Sequence, residues 1–168
     1  VSMLERAPRE AQFILYHIPQ ITQIPISQTL AKRLATDFSK QVIGLKDSEG
    51  DWGKTYDRLK DGSIPILVGD ERALHKAVAI GGAGSICGMA NLYPERIKQI
   101  LTTHEEDHDL CTDVDMIVGH PVIAAIKQAK VILSGNDNWG RLRSPLNALD
   151  TAAKAQISDR FQRLLRDT

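Results

Sequence analysis

The chain is poor in cysteine and carries no excess charge of either sign. Only Cys87 and Cys111 occur among 168 residues, too few to staple a small secreted fold, which points to reduced thiols and a cytoplasmic address. Lysine plus arginine equals aspartate plus glutamate at 21 each, so no net field draws the chain toward nucleic acid or an anionic membrane. No apolar run approaches the ~20 residues that cross a bilayer. The first residues, Val1-Ser2-Met3-Leu4-Glu5-Arg6, have neither an initiating methionine nor the apolar core of a signal peptide. What is present is an ordinary soluble composition, 42% hydrophobic and 25% charged, long enough for one domain with a real core.

Short apolar runs alternate with segments of helical period. Phe13-Ile14-Leu15-Tyr16-His17-Ile18-Pro19 is the first run, followed by Val42 to Leu45, Ile64 to Val68, and a fourth centred on Ile86. Between them, Ser27 is placed to cap a helix over 28–38, where Leu30, Leu34 and Phe38 recur every four residues. Further helices are expected over 52–59, over 71–80 behind an Asp70 cap, and over 94–103 with Pro94 in the first turn. Strand–helix–strand spacing of this kind demands parallel pairing with right-handed crossovers. After residue 104 the pattern is all-helical, over about 112–118, 121–133 and 151–165, with Pro121 opening one helix and Gly135 closing it.

The run Val42-Ile43-Gly44-Leu45-Lys46-Asp47-Ser48 ends on a lysine followed by a polar turn. Desolvation lowers an amine's pKa and frees its lone pair to attack a carbonyl carbon. The plainer reading is a surface lysine whose flexible stem reaches water. Strand alternation places Val42, Gly44 and Lys46 on one face and Ile43 and Leu45 on the other. On that reading Gly44 leaves open space beneath Lys46. Ile14, Tyr16 and Ile18 share a face by the same rule, which brings a phenol to the same strand ends. Tyr16 is otherwise a core aromatic with a backbone partner for its hydroxyl.

Three segments carry a resemblance. Tyr16-His17-Ile18-Pro19 resembles the Tyr-Asn-x-Pro motif of the pyruvate-dependent class I aldolase family, which includes dihydrodipicolinate synthase and N-acetylneuraminate lyase. Gly44-Leu45-Lys46-Asp47-Ser48 resembles its Gly-x-Lys-(Asp/Glu)-Ser motif, and the glycine-rich stretch from Gly81 to Asn91 is similar to a third. The resemblance implies an α/β fold, the second half (strands 5–8) of a (β/α)8 TIM barrel plus C-terminal helices. Residues 1–103 would be the half barrel and 104–168 a helical appendage of the same domain. It implies a lyase, an aldolase or dehydratase, in which Lys46 forms a Schiff base with pyruvate or another 2-oxo or sugar acid and Tyr16 moves the proton. Thr22, Ser48, Gly69, Asp70, Glu71 and Ile86 would face the substrate, although Asp70 serves equally well as a helix cap and Glu71 as a helix N-terminal charge.

No cofactor and no metal is implied, since the imine is the electron sink. Where dihydrodipicolinate synthases place an arginine for the aldehyde substrate's carboxylate, this chain has Ile21, which argues against that activity. Nothing matches the family's Gly-Thr-Thr-Gly-Glu-like loop, which belongs to the first half barrel. The chain is therefore expected to be a fragment or a truncation, partnered by the missing N-terminal half or by further copies of itself. The rival expectation is a non-catalytic remnant or interaction module of the same fold.

Two apparent motifs are set aside. His104-Glu105-Glu106-Asp107-His108 satisfies His-Glu-x-x-His, but it lies in an acidic, polar stretch suited to a solvated connector rather than a packed metal helix. Gly81, Gly82, Gly84 and Gly88 do not follow the dinucleotide spacing.

Overall fold

The computed structural model describes residues 2–166. Contacts divide the chain into two compact units, one of Val1–Cys87 with Ile100–Glu106 and one of Gly88–Gln99 with Asp107–Thr168.

The first unit is α/β. After helix α1 (Ser2–Arg6), strand β1 (Phe13–His17) leads through a short helix α2 (Pro19–Thr22) to α3 (Gln28–Asp37). Then follow β2 (Val42–Asp47), α4 (Trp52–Asp61), β3 (Ile66–Val68), a 3-10 turn (Glu71–Ala73), α5 (Leu74–Ala79) and β4 (Gly84–Ser85). The four strands are parallel and lie in chain order, as their separation by helices requires. Caps set the helix starts: Ser27 Oγ accepts from the Leu30 amide at 3.1 Å and Asp51 Oδ1 from the Lys54 amide at 3.2 Å. The strand expected around Ile86 stops one residue earlier, and the helix expected from residue 71 begins as a 3-10 turn. Both shortenings sit where Gly84 (φ 134°) and the Asp70 cap redirect the backbone.

The alternation read from sequence fails at one point. Phe13 pairs with Val42 but Ile14 pairs with Gly44, so Ile43 is an extra residue in β2. Such a bulge reverses the facing of what precedes it. Val42 (4% exposed) therefore joins Leu45 (0%) in the core with Leu4, Ala31, Leu34, Ile64 and Ile66, while Ile43 is 40% exposed. Val42 does not share a face with Gly44 and Lys46 as expected.

The second unit is helical. It holds α6 (Pro94–Thr103) as far as Gln99, then α7 (His108–Val118), α8 (Val122–Ser134) and α9 (Thr151–Arg166). Pro121 occupies the cap position of α8, and Gly135 (φ 64°) closes it in the left-handed conformation that glycine adopts without strain. The buried Asp113 accepts from Arg160 Nε at 2.8 Å, and Tyr93 stacks on Phe161 with ring centroids 6.3 Å apart. Burial, then the charge of Asp113, pushes the Tyr93 phenol well above its ordinary range. No described helix is long and apolar enough to cross a membrane.

The His-Glu-x-x-His stretch is not a helix. His104 has φ 61°, residues 104–107 are irregular, and α7 starts only at His108. The helical i, i+4 face that the zinc motif requires does not form. Asp107 instead caps α7, accepting from the Leu110 amide at 2.9 Å, and pairs with Arg96, whose Nε lies 2.8 Å from Oδ2. The Arg96 hydrogen bond holds the Asp107 carboxyl below the usual carboxylate range. In acid the unfolded chain protonates this group first. Its stabilisation is therefore complete above the unfolded value of about 3.9 and is lost as pH falls through the lower folded value. Asp107→Asn keeps a good cap but removes the charge. The urea midpoint of this variant should fall less steeply than that of the parent below about pH 4; parallel curves would refute the assignment.

Candidate active site

Lys46 is the penultimate residue of β2, and its register partner on β1 is Tyr16. Paired residues on adjacent strands put their side chains on the same face. Lys46 Nζ stands 4.1 Å from the centroid of the Tyr16 ring, a cation–π contact. Tyr16 is 49% exposed on this face, and Ile14 and Ile43 below it are 41% and 40% exposed. Tyr16 and Lys46 thus meet at the C-terminal edge of a parallel sheet, on the side not covered by helices. The space beneath Lys46 is not open: a Cβ on Gly44 would come within 3.2 Å of Leu67 Cδ1 and 3.3 Å of the Pro65 carbonyl. Glycine here admits the neighbouring strand rather than a ligand.

The other candidate residues lie in the segments that follow the four strands, and Asp70 and Glu71 turn to the helix-covered side rather than toward these two. Ser48 follows β2, and its amide donates to the His17 carbonyl at 2.8 Å. Gly69 lies directly against it: a Cβ at Gly69 would sit 2.0 Å from Ser48 Oγ, so any side chain there would displace one of the two loops. Thr22 Oγ1 lies within hydrogen-bond reach of the Ile18 and Ile24 carbonyls, at 3.1 and 3.2 Å, and its one hydrogen is shared between them, shaping the loop after β1. Ile86 is 41% exposed just beyond β4, and its amide donates to the Val68 carbonyl at 3.3 Å. Asp70 caps the 3-10 turn and holds Arg72, with Oδ1 2.9 Å from Nε and Oδ2 2.8 Å from Nη2. It lines a cavity of about 380 Å3 with Asp47, Trp52, Thr55 and Lys76, on the helix-covered side of the sheet. Glu71 is buried within the same turn.

A polar cluster that the sequence reading overlooked lies behind Tyr16 and Lys46. The next residues along each strand, His17 and Asp47, are register partners and are 1% and 2% exposed. The Ile26 amide donates to His17 Nδ1 at 3.1 Å; Nε2 lies 3.1 Å from Glu49 Oε2, to which it donates when Nδ1 accepts, and 3.2 Å from Arg58 Nη2, which cannot accept from it. Asp47 accepts from the Glu49 amide and from Thr55 Oγ1, both at 3.1 Å. The buried Arg58 donates to the Ile26 carbonyl at 2.9 Å and places Nε 3.4 Å from Asp47 Oδ2. Glu49 is also paired with Lys54, which, ahead of His17, holds its carboxyl below the ordinary range. One signal was available in sequence: two polar residues each ending an apolar run.

His17, Asp47 and Glu49 bring ligand atoms within 4.8 Å of one another, a spacing that would admit a metal ion. The donor set does not fit one. Arg58 and Lys54 already supply the positive charge, and His17 Nδ1 is taken by a backbone amide.

Comparison with known proteins identifies the family. The model of the dihydrodipicolinate synthetase family matches residues 7–164. An uncharacterized DapA-like lyase of Chloroflexus aurantiacus is 31% identical across 99% of this chain and 58% of its own length. The crystal structure of dihydrodipicolinate synthase from Agrobacterium tumefaciens superposes with a TM-score of 0.86 at 35% identity, over 93% of this chain and 55% of that one. A prophage protein of that family from E. coli, solved in complex with pyruvate, shares the fold at 22% identity and a TM-score of 0.75, over 92% of this chain and 56% of that one. The chain spans a little over half the length of these relatives. It belongs to the dihydrodipicolinate synthetase family.

Proposed function

We propose that this chain is the C-terminal part of a class I lyase in which Lys46 forms a Schiff base with pyruvate or another 2-oxo or sugar acid. The carrying observation is the register pairing of Lys46 with Tyr16, with the amine 4.1 Å from the ring. The Lys46 amine adds to the C2 carbonyl, and the carbinolamine loses water to give the imine. Loss of a C3 proton, or cleavage of the C3–C4 bond in reverse, leaves an enamine whose electrons the imine nitrogen accepts. Tyr16 gives and takes the protons of the carbinolamine and of the departing hydroxyl. Ser48 and Gly69, packed against each other in the loops after their strands, with Thr22 and Ile86, would supply the surrounding wall. Ile21, 73% exposed on α2, offers no charge to a second carboxylate. An aldolase or dehydratase for an electrophile without one therefore fits better than dihydrodipicolinate synthesis.

The four-stranded parallel sheet with one bare face is read as half of a (β/α)8 barrel. A missing N-terminal half, or another copy of the chain, would supply the opposite wall and the carboxylate-binding loop. Cys87 and Cys111 form no disulfide, which suits a cytoplasmic enzyme. The alternative is a non-catalytic remnant or interaction module of the same fold. Borohydride reduction with pyruvate tests the two: a stable adduct mapping to Lys46 supports the lyase, and no adduct in the presence of the completing half supports the remnant.

No metal or organic cofactor is required, because the imine accepts the electrons. Turnover is expected to survive a chelator unchanged. A stoichiometric zinc ion whose removal abolishes turnover would overturn this.

A further inference from the structure

We infer that the buried cluster of His17, Glu49, Asp47 and Arg58 is a positioning device that holds Lys46 against Tyr16. Its geometry is specific to that task. Tyr16 and Lys46 lie on the bare face of the sheet, and the residue after each, His17 or Asp47, turns into the covered face. The cluster therefore grips both strands one residue beyond the groups that would do chemistry. It also ties in three separate segments. The Ile26 amide and carbonyl, from the loop before α3, bond His17 and Arg58 at 3.1 and 2.9 Å. Glu49, from the loop after β2, bonds His17 through its carboxylate and Asp47 through its amide, both at 3.1 Å. Thr55 and Arg58 reach Asp47 from α4. The backbone ladder is extended beyond the strand ends by the Ser48 amide to the His17 carbonyl, 2.8 Å, and the Gly69 amide to the Asp47 carbonyl, 2.7 Å.

A lysine has four rotatable bonds and a half-exposed one samples many rotamers. Holding its amine over one ring requires that the two Cα positions not drift. In β1 and β2 the strands end immediately beyond the pair, where fraying would otherwise begin. A buried hydrogen-bonded cluster resists that fraying because opening it leaves desolvated polar groups without partners.

The inference rests on the imine reading for what Lys46 does, but its test does not. Reductive 13C-methylation converts lysines to dimethyl-lysines that keep their charge and report by NMR. In the 168-residue chain the Lys46 methyl resonance, assigned through Lys46→Arg, is expected upfield of the other lysines because of the Tyr16 ring current. Tyr16→Leu should remove that shift. His17→Leu, which can neither accept from Ile26 nor donate to Glu49, should lose at least half of it. His17→Asn, whose Oδ1 can replace Nδ1 as acceptor for the Ile26 amide, should restore part of it. Glu49→Ala, at a partly exposed loop position where folding is least at risk, should also reduce it. A merely structural role would lower the unfolding midpoint of these variants and leave the resonance in place. An unshifted Lys46 in the parent, or an unchanged shift in folded His17→Leu or in Glu49→Ala, would overturn the proposal. A shifted resonance that His17→Leu abolishes, in a protein that traps no pyruvate even with the completing half supplied, would support the positioning device and sink the imine reading instead.

Discussion

Lys46→Ala is expected to abolish the borohydride-stabilised pyruvate adduct outright, with no residual labelling at Lys40 or Lys54. On the proposed imine mechanism the amine is the bond-forming group, so nothing else at the strand edge can substitute for it. Lys46→Arg should fail equally, because a guanidinium stays protonated and offers no lone pair. Tyr16→Phe keeps the ring over Lys46 and removes only the hydroxyl. Imine trapping should therefore persist at a reduced rate while turnover falls by about 10²–10⁴-fold, the usual contribution of a positioned proton-transfer group. Peptide mapping of the adduct and steady-state rates on the completed barrel distinguish the two variants. An adduct mapping to a different lysine, or a Tyr16→Phe enzyme with full turnover, would refute the assignments.

The 168 residues by themselves are expected to give no turnover as a monomer. Among the described residues β1 and β4 each pair with one strand only, so both carry an open edge. Ile14, Tyr16 and Ile43 stand 41%, 49% and 40% exposed on the face that a closed barrel would bury. At ~25 cal/mol per Å2 of apolar surface, covering that face is worth several kcal/mol, comparable with the net stability of a domain. The chain should therefore associate through its bare sheet or bind the N-terminal half of a relative, and on the proposed reading pyruvate trapping should rise when that half is supplied. Analytical sedimentation with and without the N-terminal half of a relative, paired with the trapping assay, measures both effects. A well-folded monomer that turns over substrate unaided would show that the bare face is complete as it stands.

The strand–helix alternation was legible in the sequence because each element declares itself locally. Ser27 and Asp70 cap the elements they precede, and short apolar runs separated by helices can pair only in parallel. The two residues that meet on the bare face were legible too, because Tyr16 and Lys46 end such runs in motifs of a known family. The burial of Val42 and exposure of Ile43 were not. A bulge arises from the register between two strands, and a single strand's alternation contains no record of its neighbour. The His-Glu-x-x-His stretch misled in the other direction: its spacing implies a helix, but Asp107 is drawn off to cap α7 and to bind Arg96, and the backbone breaks at His104.

By itself, then, the sequence determined the order and type of the elements, the family and the Lys46–Tyr16 pair, all of which follow from local propensity and short motifs. Only the tertiary structure decided what stands behind that pair. His17, Asp47, Glu49 and Arg58 are spread over 41 residues between His17 and Arg58. They become one buried cluster only because parallel pairing sets His17 beside Asp47 and the following helix folds back over both, where desolvation obliges polar groups to find each other.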